Sequence, residues 1–172
     1  MNVVHAAVGD EFTTTRVFDA PREVVFDAWT KLEHLNKWFA PKGFDILGGT
    51  LDLKVGGTYH YGLRTPDGME MWGKWTFREI KRPERLVVIA SFSDKDGGIT
   101  VHPGSPTWPR ETLSTTTFEA QGNKTLLTLR WSPHKATEVE RKTFVEAKAS
   151  MEQGWGGTME LLETYLKTVR KG

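Results

Sequence analysis

The sequence predicts an α+β fold: a curved antiparallel sheet of about seven strands wrapped around a long C-terminal helix, with two short helices after the first strand. Three observations carry this. Apolar and polar residues alternate through the middle of the chain, as half-buried strands require. Those segments are joined by turns too short for crossovers, so neighbours pair antiparallel. Near the C-terminus one apolar stripe recurs at helical spacing, long enough to cover the sheet's apolar face.

Glu11 to Phe18, rich in Thr, Val and Phe, reads as the first strand. Asp19 or Ala20 then caps a helix with Pro21 in its first turn, where a missing N–H costs nothing. Val25, Ala28, Trp29, Leu32 and Leu35 follow at helical spacing. Thr30 reads as a second cap, giving two short helices that end near Trp38-Phe39, before Pro41 and Gly43.

From Phe44 the period becomes two. Leu51, Leu53 and Val55 alternate up to a turn at Gly56-Gly57, and Tyr59, Tyr61 and Leu63 continue the apolar face to a hairpin at Pro66-Asp67-Gly68. Next, Met69, Met71, Gly73, Trp75 and Phe77 share one face, with Glu70, Trp72, Lys74, Thr76 and Arg78 on the other. Leu86 to Phe92 is apolar on both faces and suits a central strand. Asp94 to Pro109 is a long loop carrying His102 and Trp108, of a length that is often functional. Thr112–Ala120 and Thr125–Trp131 form a further hairpin. The capping box Thr137-Glu138-Val139-Glu140 opens one helix running to about Lys167. Its stripe is Phe144, Ala147, Met151, Trp155, Thr158, Leu162 and Leu166. Gly154, Gly156 and Gly157 interrupt it at about 1 kcal/mol each against Ala, which places a kink or a close approach to the sheet there.

The 172 residues suit one domain spanning 1–172, with a core from about 11 to 167. The chain has no Cys, so no disulfide framework is expected. The N-terminal residues show no secretory pattern, and no apolar run approaches a membrane span. The expected location is therefore cytoplasmic. The 23 basic and 22 acidic residues are dispersed, and the clusters Lys81-Arg82 with Arg85, and Arg170-Lys171, read as solvated ends of elements. Nucleic-acid binding is not expected.

The five His, at positions 5, 34, 60, 102 and 134, show no metal-ligand spacing, and no metal or cofactor is expected. No nucleophile elbow or phosphate loop is present. The Gly-Gly pairs at 48–49, 56–57 and 97–98 read as turns. Glu70, Asp52 and His60 alternate outward. Arg110, Glu111 and His102 lie near the long loop, where they could reach a cavity entrance, although solvated positions explain them as well.

The chain's excess is aromatic, with seven Trp, nine Phe and three Tyr. Tyr59, Tyr61, Met71, Trp75, Phe92 and Leu129 converge on one interior space with Trp131, Phe144, Met151 and Trp155. These side chains either fill that space or wall a cavity. Gly73, which removes volume among large residues, and the adaptable Met71, Met151 and Met159 favour a cavity.

Phe18-Asp19-Ala20-Pro21-Arg22-Glu23-Val24-Val25-Phe26-Asp27-Ala28-Trp29, followed by Leu35-Asn36-Lys37-Trp38-Phe39, resembles the N-terminal signature of SRPBCC (START-like, birch-pollen-allergen-like) proteins. Within that superfamily the chain is most similar to the branch named for an activator of heat-shock-protein ATPase. Gly56-Gly57-Thr58-Tyr59, Arg130-Trp131-Ser132-Pro133 and Gln153-Gly154-Trp155-Gly156-Gly157-Thr158 agree with it. The resemblance covers essentially Glu11 to Leu166. It implies a helix-grip fold with a cavity between sheet and long helix, and binding of a small hydrophobic or aromatic molecule. Trp38, Tyr59, Tyr61, Met71, Gly73, Trp75, Phe92, Trp108, Trp131, Phe144, Met151 and Trp155 are the candidate cavity residues. Relatives of this kind include cyclases and dehydratases, so an enzyme acting on a polyketide-like or aromatic substrate is the alternative, with His102 or Arg110 as the ionisable group. A chaperone-assisting interaction domain is a third expectation, and association as a homodimer stays open.

Overall fold

The computed structural model describes residues 10–102 and 104–171. The N-terminal residues on which the secretory reading rests, and the side chains of Arg170 and Lys171, lie outside what is described. The elements are β1 (Phe12–Phe18), α1 (Arg22–Thr30), α2 (Leu32–Trp38), β2 (Asp45–Leu51), β3 (Thr58–Arg64), β4 (Glu70–Lys81) and β5 (Arg85–Ser93). They continue as β6 (Ile99–Thr100), β7 (Thr112–Gln121), β8 (Lys124–Pro133), α3 (Glu138–Glu146) and α4 (Lys148–Lys171). Seven strands run in the order β1-β8-β7-β5-β4-β3-β2, every pairing antiparallel, and β6 adds to β5. The sheet is open, and its outer strands β1 and β2 are consecutive in sequence and joined through α1 and α2. This is the expected helix-grip α+β architecture.

The Leu86–Phe92 run, apolar on both faces as far as Ala90, is central as expected: β5 lies between β4 and β7. β7 pairs with β5 only as far as Ala90, and β6 takes up Phe92 and Ser93 beyond it. Register shifts at Ile46/Gly48 in β2 and Phe77/Glu79 in β4 add local twist and bend.

Several local expectations are corrected. Pro21, not Asp19 or Ala20, is the N-cap of α1, and its carbonyl accepts from the Val24 and Val25 amides. Thr30 closes α1 instead of capping α2; its buried hydroxyl donates back to the Phe26 carbonyl at 2.9 Å, and Lys31 caps α2. Leu53 and Val55 are exposed in the loop after β2, which begins earlier than their alternation suggests. Gly48-Gly49 is not a turn but part of β2, where Gly48 has φ +101° and a Cβ on Gly49 would meet the His60 carbonyl oxygen at 2.1 Å.

The C-terminal helix is two helices. The Thr137–Glu140 capping box forms as expected. At Ala147 (φ −92°, ψ 2°) the chain leaves helical geometry, and α4 starts one residue later. The break therefore falls at Ala147, whereas the glycines lie inside regular α4. A Cβ added at Gly154 or Gly156 would find open space, and at Gly157 it would meet only the Lys42 side chain at 3.6 Å.

One half of the interior is densely packed. Phe18, Phe26, Phe77, Phe118, Leu127 and Leu162 are essentially inaccessible, each worth about 1.5–3 kcal/mol of burial. Phe26 meets Phe118 edge-on, with centroids 5.1 Å apart. Outside this half, Arg82 forks onto Asp27 through Nε (3.0 Å) and Nη2 (3.1 Å), tying α1 to the β4–β5 turn. Among the described residues, no helix is long and apolar enough to cross a membrane.

Candidate functional site

The inward face of a strand repeats every second residue, so β3, β4 and β5 deliver side chains to the interior in register. Tyr61 pairs with Gly73, and Gly73 with Phe92, across the three strands. Toward this end the sheet and helix layers separate around a cavity of about 630 Å³, within the range of small-molecule sites. β3 and β4 supply Tyr61, Met71, Gly73 and Trp75; β5 supplies Phe92 and β8 Trp131. Trp108 comes from the long loop, and Met151 and Trp155 come from α4.

Trp38, Tyr59 and Phe144 are not wall residues. Trp38 is turned into the packed half, donating its indole N–H to the Ala28 carbonyl at 2.9 Å. Tyr59 lies buried under Tyr61, rings stacked with centroids 4.9 Å apart. Phe144 backs the wall, 5.5 Å from Trp108 and 5.3 Å from Trp131.

Other wall residues were not singled out by the sequence. Trp29 of α1 stacks near-parallel to both Trp75 (6.3 Å, 21°) and Trp155 (6.2 Å, 19°). Phe39, just after α2, faces the cavity in place of its neighbour Trp38 and meets Trp75 and Tyr61 edge-on. β7 adds a row of small hydroxyls, Thr112, Ser114 and Thr116. The sequence carries no signal for this row, because residues 114–117 read Ser-Thr-Thr-Thr and put hydroxyls on both faces of the strand.

Gly73 has a different role from the one its composition suggests. A Cβ there would stand 2.4 Å from the Tyr61 phenol, so the glycine lets that ring lie flat on β4. Across the strand pair the arrangement is mirrored on the outer face, where the Trp72 ring covers Gly62 and stacks on His60 at 5.2 Å.

His102 is brought into the wall, its ring 4.7 Å from Phe92 and 6.2 Å from Trp108. Its Nδ1 accepts the Gly104 amide at 2.8 Å. Burial holds its pKa below the ordinary histidine value. Burial likewise pushes the Tyr61 phenol well above its ordinary range, so both groups are neutral near pH 7. Arg110 is exposed and Glu111 half-buried, and neither joins the wall. Among the described residues, no group of three or more His, Cys, Asp or Glu is placed to hold a metal ion.

With this geometry in view, residues 19–167 match the family model described as Activator of Hsp90 ATPase homolog 1-like protein. The chain belongs to that family. Solved structures share the family fold: a Nitrosomonas europaea protein superposes with a TM-score of 0.77 at 22% identity, covering 95% of this chain and 98% of that one. An Arthrobacter aurescens protein solved by NMR gives 0.76 at 24% identity, over 94% and 88%. A Silicibacter pomeroyi protein that carries the family's name, AHSA1, gives 0.70 at 17% identity, over 92% and 98%. No curated protein matches the chain in sequence. Family and fold neighbours thus agree on the architecture.

Proposed function

We propose that this chain binds a small hydrophobic or aromatic molecule in the cavity between the sheet and α4. The observation that supports it is a cavity of about 630 Å³ whose walls are Trp, Phe, Tyr and Met rings and chains, with hydroxyls along one strand. Rings of this kind supply burial and stacking to a flat apolar guest, while a few polar groups orient it. Native mass spectrometry of the purified protein should detect a retained small molecule, or uptake of an added naphthalene at one equivalent. A protein that is empty and takes up no apolar probe would overturn this reading.

Catalysis on such a guest is the second reading, and His102 in the wall is what favours it. With Nδ1 taken by the Gly104 amide, its Nε2–H can polarise a carbonyl of a bound substrate as a neutral hydrogen-bond donor. Turnover of a bound aromatic substrate, lost in His102→Phe while binding persists, is the result that reading requires.

A further inference from the structure

The polarity of the cavity wall goes beyond size and greasiness, because it selects charge. None of the described residues lining it is Asp, Glu, Lys or Arg. Its two titratable members, Tyr61 and His102, are neutral for the reasons given above. Nearby charges stay on the outside. Arg110 is exposed beyond the wall residue Pro109, and the Lys42–Glu160 ion pair is spent on itself at the surface.

The wall still offers polar contacts, and their sense can be read. His102 Nδ1 already accepts the Gly104 amide, so in the neutral ring the remaining nitrogen, Nε2, carries the proton. Its imidazole therefore faces its surroundings as a donor. The hydroxyls of Tyr61 and Ser114 have no hydrogen bond within the described residues, and each can donate. An acceptor on the guest meets ready partners, whereas an ionised group would lose its hydration with no opposite charge to replace it.

Resting on the proposal that the cavity binds a small molecule, we infer that its ligand is an uncharged ring compound bearing a carbonyl or comparable acceptor, and that His102 is the donor that recognises this acceptor. Carboxylates and ammonium ions of the same skeleton are excluded. The aromatic walls would favour a cation through its attraction to ring faces, so the ammonium case is a demanding part of the test.

Isothermal titration calorimetry near pH 7.5 with four naphthalene derivatives reads the selection directly: the hydrocarbon, its methyl ketone, its carboxylate and its trimethylammonium salt. The ketone should bind at least about tenfold more tightly than either ion, a difference of about 1.4 kcal/mol. His102→Phe should weaken the ketone by several-fold, up to about tenfold, and should affect the hydrocarbon markedly less. His102→Gln, which keeps an N–H donor, should recover part of the loss and serves if the Phe variant does not fold. Binding of the carboxylate or the ammonium as tight as the ketone would overturn the charge selection while leaving the cavity reading intact. Equal weakening of ketone and hydrocarbon by His102→Phe, with no recovery in His102→Gln, would remove His102 as the donor. If none of the four binds, the cavity reading fails and this inference with it.

Discussion

The two ends of the interior are built from the same sheet and the same helix, yet one is packed solid and the other is hollow. At the packed end α1 inserts Phe26 and Trp29 between the layers, and Phe26 closes on Phe118 of β7. At the hollow end α1 reaches the wall only through Trp29, and α2 contributes no lining residue. A smaller cluster of Phe12, Phe144 and Met151, backed by Trp108 and Trp131, rims the space without filling it. Trp155 stands at the boundary, stacked on Trp29 on one side and edge-on to Trp131 (6.2 Å, 85°) on the other. The cavity is thus less a feature of the sheet than of where the short helices stop. Stability should be concentrated at one end and binding at the other.

The largest expected effect tests that division. Phe118→Ala, at the packed end, should cost about 3–5 kcal/mol. At roughly 2–4 °C per kcal/mol for a chain of this size, the melting temperature falls by roughly 10 °C. Phe92→Ala, in the cavity wall, removes a ring of the same size from a half-buried position. It should cost no more than about 2 kcal/mol, because the lost ring already bordered empty space, while probe affinity drops. Equal melting losses for the two variants would show that the ends do not differ.

Gly73→Ala probes the seam between stability and binding. The new methyl would stand 2.4 Å from the Tyr61 phenol, so that ring must swing off β4, and the only room is the cavity. Overpacking of this kind costs about 1–3 kcal/mol, and the displaced ring should also block probe uptake. Combining it with Tyr61→Leu should restore much of both. No loss in the single variant would mean that the ring does not need the glycine.

Much of this architecture was legible in the sequence because period two is robust in β3, β4 and β8, where a mainly apolar face meets a more polar one. It was less legible where a residue serves two purposes. The stripe Phe144, Ala147, Met151 runs through the break at Ala147, since packing on one interior keeps the spacing even when the helix axis restarts. Trp38 and Phe39 are adjacent aromatics. Which one faces the cavity was decided by the bond from the Trp38 indole to Ala28, an interaction with no sequence signature. The sequence puts His102 in the long loop, but its place against Phe92 and Trp108 depends on a loop conformation that periodicity does not encode. Gly73 was correctly placed on the inward face, but the emptiness inferred beside it is occupied by Tyr61.

A smaller effect belongs to the packed end's outer clamp. Burial pushes the Asp27 pKa up, but hydrogen bonding and charge from Arg82, with Lys31, outweigh it and hold the carboxyl below its ordinary value. A carboxyl whose folded pKa is depressed contributes stability above its unfolded pKa, near 4, and loses it as pH falls through the folded value. Asp27→Asn should therefore cost about 1 kcal/mol at neutral pH, the upper end for a partly exposed pair with bidentate geometry. The difference from the parent should shrink as melts are carried to pH values progressively below the ordinary carboxylate range. A difference that persists in acid would assign the cost to packing instead of charge.

The smallest effect carries the opposite sign and concerns the helix that spans both ends. Gly156 sits inside α4 with nothing within 4 Å of where a Cβ would be, and its role toward Arg16 runs through its carbonyl, which Nη1 reaches at 3.4 Å. A methyl group disturbs neither the space nor that contact. What changes is the unfolded chain, which loses conformational freedom when glycine becomes alanine. Gly156→Ala should therefore stabilise by about 0.4–1 kcal/mol, raising the melting temperature by a few degrees. Because Gly156 is not in the cavity wall, probe affinity should not move. A loss of stability would mean that α4 approaches something at this point that the open space does not reveal. A gain in stability accompanied by weaker binding would instead tie the glycine's flexibility to entry of the guest, and would make the helix a working part of the hollow end.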